Sequence, residues 1–176
     1  IFIYEGRETF TAPLTAYYPE SILKREETGW FLEWPAEQPE VKNITNVPMI
    51  ATSSKAEGDI DFDFTHLGSV LQLVLSTKNG EIQVERIDIT ADQGLSGKFE
   101  VVKGTAKILD GETKGIVTTG DISAKGIKLS PTATYLNFAV PAGKFTNFKI
   151  AITDISGKQY SLSAKSLALA PAMVNK

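Results

Sequence analysis

Asp59-Ile60-Asp61-Phe62-Asp63-Phe64 alternates acid and apolar side chains without a break. A period of two fits a β-strand with one wet face and one buried face, and it fits no helix. Leu71, Leu73 and Leu75 resume the pattern after Gly68. Asn79-Gly80 then stands between two apolar alternating runs. Both turn positions favour positive φ, so a tight hairpin is predicted to join residues 70–77 to residues 82–90. On the return run the apolar positions are Ile82 and Val84, then Ile87 and Ile89. The slip by one at Glu85-Arg86 predicts a β-bulge. Ser156-Gly157 predicts a second hairpin, between residues 148–152 and 160–162. Further strands are expected over residues 9–18, 98–102, 116–119, 127–129 and 135–140.

Helical signals are poor, because no window keeps an apolar stripe for three turns without Gly, Pro or a β-branched cluster. One helical turn is expected over residues 21–27, with Ser21 as N-cap and Thr28-Gly29 as its end. Many short strands separated by turn residues mean an all-β sandwich or barrel. No repeat of 20–50 residues, the spacing of a propeller or solenoid, is visible.

A composition shift falls at residues 53–58. Residues 12–48 hold Pro13, Pro19, Pro35, Pro39 and Pro48 and both tryptophans, Trp30 and Trp34, whereas most regular strands lie in residues 59–165. The expected organisation is a β-sandwich domain over 57–176, preceded in 1–56 by the C-terminal part of an incomplete N-terminal β lobe. So short a piece buries too little apolar surface to stand alone, and it packs on the second lobe or on strands outside this chain.

Eighteen basic residues against 21 acidic ones, a net charge of -3 in 176 residues, leave no electrostatic footprint for nucleic acid or anionic lipid. No cysteine is present, so disulfides, thiol nucleophiles and thiolate metal sites are excluded. No apolar stretch approaches the roughly 18 residues of a membrane-spanning helix. Ile1-Phe2-Ile3-Tyr4 reads as a strand already under way, and a leader or lipid anchor is expected upstream of it.

His66 is the only histidine, and no nucleophile motif accompanies it. Asp59, Asp61 and Asp63 imitate the start of a calcium loop. The sixth position is Phe64 where glycine is needed, and the twelfth is Val70 where glutamate is needed. The acids therefore read as the wet face of a strand. Glu26, Glu27, Glu33, Glu37 and Glu40 show no spacing that marks a glycosidase pair, and no Gly-rich phosphate loop occurs. No catalytic, cofactor or metal residue is assigned. The aromatic group Tyr17, Tyr18, Trp30, Phe31 and Trp34 is the one binding feature. Flat rings stack on sugar faces and anchor interfaces, which makes Tyr17, Tyr18, Trp30 and Trp34 candidate surface or glycan contacts. The competing reading buries these rings beneath the proline-rich segment.

An ordered series runs through the chain: Ala16-Tyr17-Tyr18-Pro19, Trp34-Pro35 with Gln38-Pro39, Met49-Ile50-Ala51-Thr52, and Phe62-Asp63-Phe64-Thr65-His66-Leu67-Gly68. Farther on come Phe138-Ala139-Val140-Pro141-Ala142-Gly143, Phe148-Lys149-Ile150, Asp154-Ile155-Ser156-Gly157-Lys158 and Ser166-Leu167-Ala168-Leu169. This series resembles the fimbrillin-like surface proteins of the Bacteroides group. The resemblance implies transthyretin-like or immunoglobulin-like two-sheet β-sandwiches. It also implies a non-enzymatic pilus subunit or adhesin, exported through the periplasm to the outer membrane or fimbrium and held by a lipid anchor outside this chain. The partners it implies are other pilus subunits, joined by β-strand addition, and a host or bacterial surface protein or glycan. A glycan-binding lipoprotein of a carbohydrate-uptake system is the alternative. Trp30 and Trp34 exposed side by side would favour that alternative, and their burial would favour the structural role.

Overall fold

The computed structural model describes residues 11–38, 42, 47–102, 105–108, 116–119, 127–171 and 174–175. The elements among these residues are all strands. The first part of the chain gives β1 (Leu14–Tyr18), β2 (Leu23–Glu26), β3 (Gly29–Trp34), β4 (Met49–Ser53) and β5 (Thr65–His66). Then come β6 (Gly68–Leu75), β7 (Ile82–Thr90), β8 (Gly97–Val102), β9 (Thr105–Ile108) and β10 (Ile116–Thr119). The rest is β11 (Lys128–Leu129), β12 (Thr134–Pro141), β13 (Gly143–Asp154), β14 (Gln159–Leu169) and β15 (Val174–Asn175). The all-β sandwich expected from the sequence is the fold observed.

One layer has the order β10-β7-β13-β14, with β11 also paired to β7. The facing layer has the order β12-β6-β15. Their inner faces follow the period of two. Leu71 and Leu73 of β6 and Leu136, Phe138 and Val140 of β12 meet Val84, Ile87 and Ile89 of β7 and Phe148, Ile150 and Ile152 of β13 in one buried cluster. A third sheet, β2-β3-β8-β9, contributes Leu23, Leu32, Trp34 and Phe99 to that same cluster. The fourth sheet is β1-β4-β5.

Two local expectations are met in detail. Against β13, β7 pairs Arg86 with Thr153 and then Val84 with Asp154, skipping Glu85, so the phase slip is a bulge. The Ser156-Gly157 turn joins β13 to β14, and Gly157 takes the left-handed φ of 82° that the turn requires.

Three expectations are corrected. Residues 76–81 form no hairpin: β6 pairs with β12 and β15, while β7 pairs with β10, β11 and β13. Each strand carries one apolar face, and the two faces are buried against each other across the layers instead of lying side by side. Gly80 keeps its positive φ of 68°, but the turn serves a crossing between layers, stapled by the Thr77 hydroxyl donating to Gly80 O at 2.6 Å. The helical turn expected at 21–27 is also absent. Leu23 pairs with Leu32 in an antiparallel hairpin, because burying those two apolar side chains outweighs one isolated turn of helix. Finally, Ile60–Phe64 keeps its alternation of half-buried and exposed side chains without joining any ladder.

Candidate functional site

The β12-β6-β15 sheet has two flanks, treated in opposite ways. On the β12 flank, Ala139 is gripped at both of its backbone groups. Gln38 Nε2 donates to Ala139 O at 2.7 Å, and Ala139 N–H donates to Gln38 Oε1 at 2.9 Å. The side-chain amide thus stands in for a neighbouring strand. Trp34 Nε1–H donates to the same carbonyl at 3.1 Å, and Asn137 Nδ2 donates to Lys42 O at 3.3 Å. The Trp34 ring lies so close over Gly68 that a Cβ there would overlap it and stand 2.9 Å from Val140 O. Glycine is required at this position by close approach.

On the β6 flank, β15 runs parallel and, among the described residues, pairs Val174 with Val70 and Asn175 with Leu71. Among the described residues nothing pairs with Gln72–Leu75 on that side. The layer beneath is equally uncovered. Leu162 of β14 pairs with Ile150 of β13, so both side chains point to the inner face. Ile150 is 6% exposed and Leu162 is 69% exposed. An inward-pointing leucine stands in water, and among the described residues no strand lies opposite it. The result is an open groove of about 910 Å³, lined by Leu73, Leu75, Ile150, Ile152, Tyr160 and Leu162 among others.

The β14 lip of this groove is held by Asp154. Its Oδ1 accepts from the Ser156 hydroxyl at 2.5 Å and from the N–H groups of Ser156 and Lys158 at 2.9 and 3.0 Å, and its Oδ2 accepts from the Tyr160 hydroxyl at 3.3 Å. The Ser156 hydroxyl bond, then the backbone donors and Tyr160, hold the carboxyl below its ordinary value, opposed by burial. A depressed carboxylate stabilises the fold above its unfolded value, and that contribution is lost as pH falls through the folded one. Acid therefore loosens this hairpin tip.

The four aromatic residues singled out from the sequence do not form one platform. Trp34, 1% exposed, is a core residue in edge contact with Phe99 at 6.0 Å, which removes it from the surface candidates. Tyr17 and Trp30 do meet, with ring centroids 4.8 Å apart, and the Arg25 guanidinium lies 5.7 Å from the Trp30 ring. Tyr18 is exposed, but it follows Tyr17 in a strand and so projects from the opposite face of the sheet. His66 pairs with Met49 in the β4–β5 ladder, and its buried Nδ1 has no hydrogen-bond partner among the described residues. Asp59, Asp61 and Asp63 are exposed, and no metal-binding cluster of acids and histidine occurs among the described residues. The groove escaped sequence reasoning. The one local signal for it was the apolar Leu162 in a strand otherwise rich in serine and alanine.

No family model and no curated protein sequence matches this chain. Among solved structures it is similar to the crystal structure of a candidate cell adhesion protein from Bacteroides ovatus, with a TM-score of 0.58 and 15% sequence identity. The alignment covers 96% of this chain and 65% of that one, so the chain spans less than two thirds of that protein's length. At this identity the likeness bears on the fold alone.

Proposed function

We propose that this chain is a structural or adhesive subunit of a bacterial surface fimbria, and that it assembles by taking a strand of a neighbouring subunit into the open flank of β6. The observation that carries this reading is Leu162, which points inward yet stands in water beside a flank of β6 that no described residue pairs with beyond Leu71. An added strand satisfies the backbone groups of that flank and covers the leucine, which alone contributes about 2 kcal/mol. The fimbrillin-like series in the sequence supports the same reading, as does the printed description of the Bacteroides ovatus structure as a candidate cell adhesion protein. Its place is then the cell surface, reached through the periplasm, with a lipid anchor lying outside this chain. The role needs no catalysis. The alternative, a glycan-binding surface lipoprotein, calls for rings side by side on one platform, and only Tyr17 and Trp30 meet.

The test is chemical cross-linking of intact producing cells, followed by separation of the surface proteins under denaturing conditions. The parent chain should give a ladder of multimers. A Leu162→Arg variant, displayed at the same level, should give mainly monomer. Monomers alone from the parent, with adhesion intact, would sink the assembly reading.

A further inference from the structure

Asn79-Gly80 closes no hairpin, and it stands in the exposed crossing from β6 to β7 outside every ladder. We infer that Asn79 is a site of spontaneous deamidation, and that its isoaspartate product breaks the tie between Thr77 and Gly80. This chemistry needs neither a partner nor an enzyme, and it is independent of how the chain assembles.

The Gly80 backbone nitrogen, on losing its proton to hydroxide, attacks Cγ of the Asn79 side-chain amide. A C–N bond forms, and ammonia leaves with a proton taken from water. The five-membered imide then takes up one water. Opening at the side-chain carbonyl gives aspartate. Opening at the main-chain carbonyl gives isoaspartate, in which the chain runs through Cβ and Cγ and so gains one backbone carbon. The main-chain carbonyl is the more electrophilic, because the adjacent Cα carries the amide nitrogen, so isoaspartate dominates. Either way an amide becomes a carboxylate, and water is the only co-reactant.

The surroundings of Asn79 favour this attack, and those of two other asparagines oppose it. Asn79 and Gly80 are both exposed. Among the described residues no hydrogen bond engages the Gly80 N–H or the Asn79 side chain. A Cβ added at Gly80 would meet nothing within 4 Å, so the attacking nitrogen is unobstructed and its backbone has the freedom peculiar to glycine. Asn137 and Asn147 are instead followed by buried Phe138 and Phe148, whose Cβ atoms stand beside the attacking nitrogen. Both asparagines lie within long strands. Asn137 Oδ1 accepts from Gln72 Nε2 at 2.9 Å, and Asn147 Nδ2 donates to Asp92 Oδ2 at 2.7 Å. The consequence follows from Thr77. Its N–H donates to Ser130 O at 2.9 Å, and its hydroxyl donates to Gly80 O at 2.6 Å. With Thr77 anchored to Ser130, one more backbone carbon at position 79 moves Gly80 O away from that hydroxyl.

The test ages the purified chain in warm, mildly alkaline buffer. Isoaspartate is counted by enzymatic methylation of its free carboxylate and located by mass spectrometry after cleavage at glutamate, which keeps residues 58–81 in one peptide. Asn79 should convert at least about tenfold faster than Asn137 or Asn147, a barrier difference of about 1.4 kcal/mol. The rate should rise with pH, since the nitrogen must lose its proton. Asn79→Gln keeps the amide but would need a six-membered ring, and it should remove the signal from this peptide. Conversion at Asn79 no faster than at Asn137, or undiminished conversion in Asn79→Gln, would overturn the site. The isoaspartate form, separated by anion exchange, should melt below the fresh protein. Asn79→Asp, which carries the same charge without the extra backbone carbon, should melt with the fresh protein. If the isoaspartate form melts with the fresh protein, or Asn79→Asp melts as low as the isoaspartate form, the broken tie is refuted.

Discussion

Among the described residues, one flank of the β6–β12 pair is capped at Ala139 and the other is paired only as far as Leu71, within a single small sheet. Exposed strand edges recruit other chains, and proteins normally block them. On the β12 side the Gln38 amide occupies both backbone groups of Ala139, and Trp34 Nε1–H donates to the same carbonyl. On the β6 side the described pairing with β15 reaches Leu71, and Leu162 stands unburied nearby. The contrast teaches that the open flank is not a general failure of this fold to hide its edges. The segment before residue 57 supplies the seal for one flank, and nothing among the described residues supplies it for the other. That difference among the described residues is what the strand-addition proposal builds on.

The largest predicted effect breaks the sealed side. Trp34→Ala removes a fully buried ring along with its hydrogen bond to Ala139 O. Truncating a buried tryptophan costs about 3–5 kcal/mol. Denaturant unfolding should show a loss of that size with little change in far-ultraviolet dichroism of the fraction that folds. A loss below about 1 kcal/mol would mean that the ring is dispensable and the seal superficial.

A smaller effect is expected from Gln38→Ala, which leaves the Trp34 ring in place but strips the mimic strand from Ala139. One carbonyl keeps its bond from Trp34 Nε1, while the Ala139 N–H loses its acceptor. Removing one partner of a part-buried group costs about 1–3 kcal/mol. The decisive readout is amide exchange at Ala139, which should speed up in the variant while the amides of Leu136 and Phe138 change less. Unaltered exchange at Ala139 would show that the flank is protected by something other than Gln38.

How far the sequence revealed this arrangement depends on the range of the forces involved. The bulge at Glu85 and the turn at Gly157 were legible because each is set by neighbours along the chain. The alternation of Ile60, Phe62 and Phe64 was also read correctly as extended: the Phe62 and Phe64 rings lie 6.4 Å apart, close to the two-residue repeat of a strand. Whether such a segment finds a ladder partner is not a local property, and this one finds none among the described residues. Asn79-Gly80 shows the same limit. The glycine does take positive φ, yet local pattern does not distinguish two strands side by side from two strands face to face. The seal was hidden for a related reason, since Trp34 and Gln38 meet Ala139 from about a hundred residues away. The groove left only one faint mark, the apolar Leu162 in a strand otherwise rich in serine and alanine.

The smallest predicted effect on stability is the most informative about the open side. Leu162→Thr replaces an apolar side chain at an inward-pointing strand position with a β-branched polar one. If the position were covered, as Ile150 beside it is, the change would forfeit about 2 kcal/mol or more of burial. With 69% of Leu162 already in water, little burial remains to lose, and threonine suits a strand better than leucine does. The melting temperature should therefore stay within about a degree or two of the parent, consistent with a change inside about 0.5 kcal/mol. The same variant should lose most of the thermal stabilisation that the parent gains from an alternating valine–threonine peptide, because the contact it removes forms only when a strand is added. A clear drop in the melting temperature of the free variant would show that Leu162 is covered in solution, and the contrast between the two flanks would disappear with it.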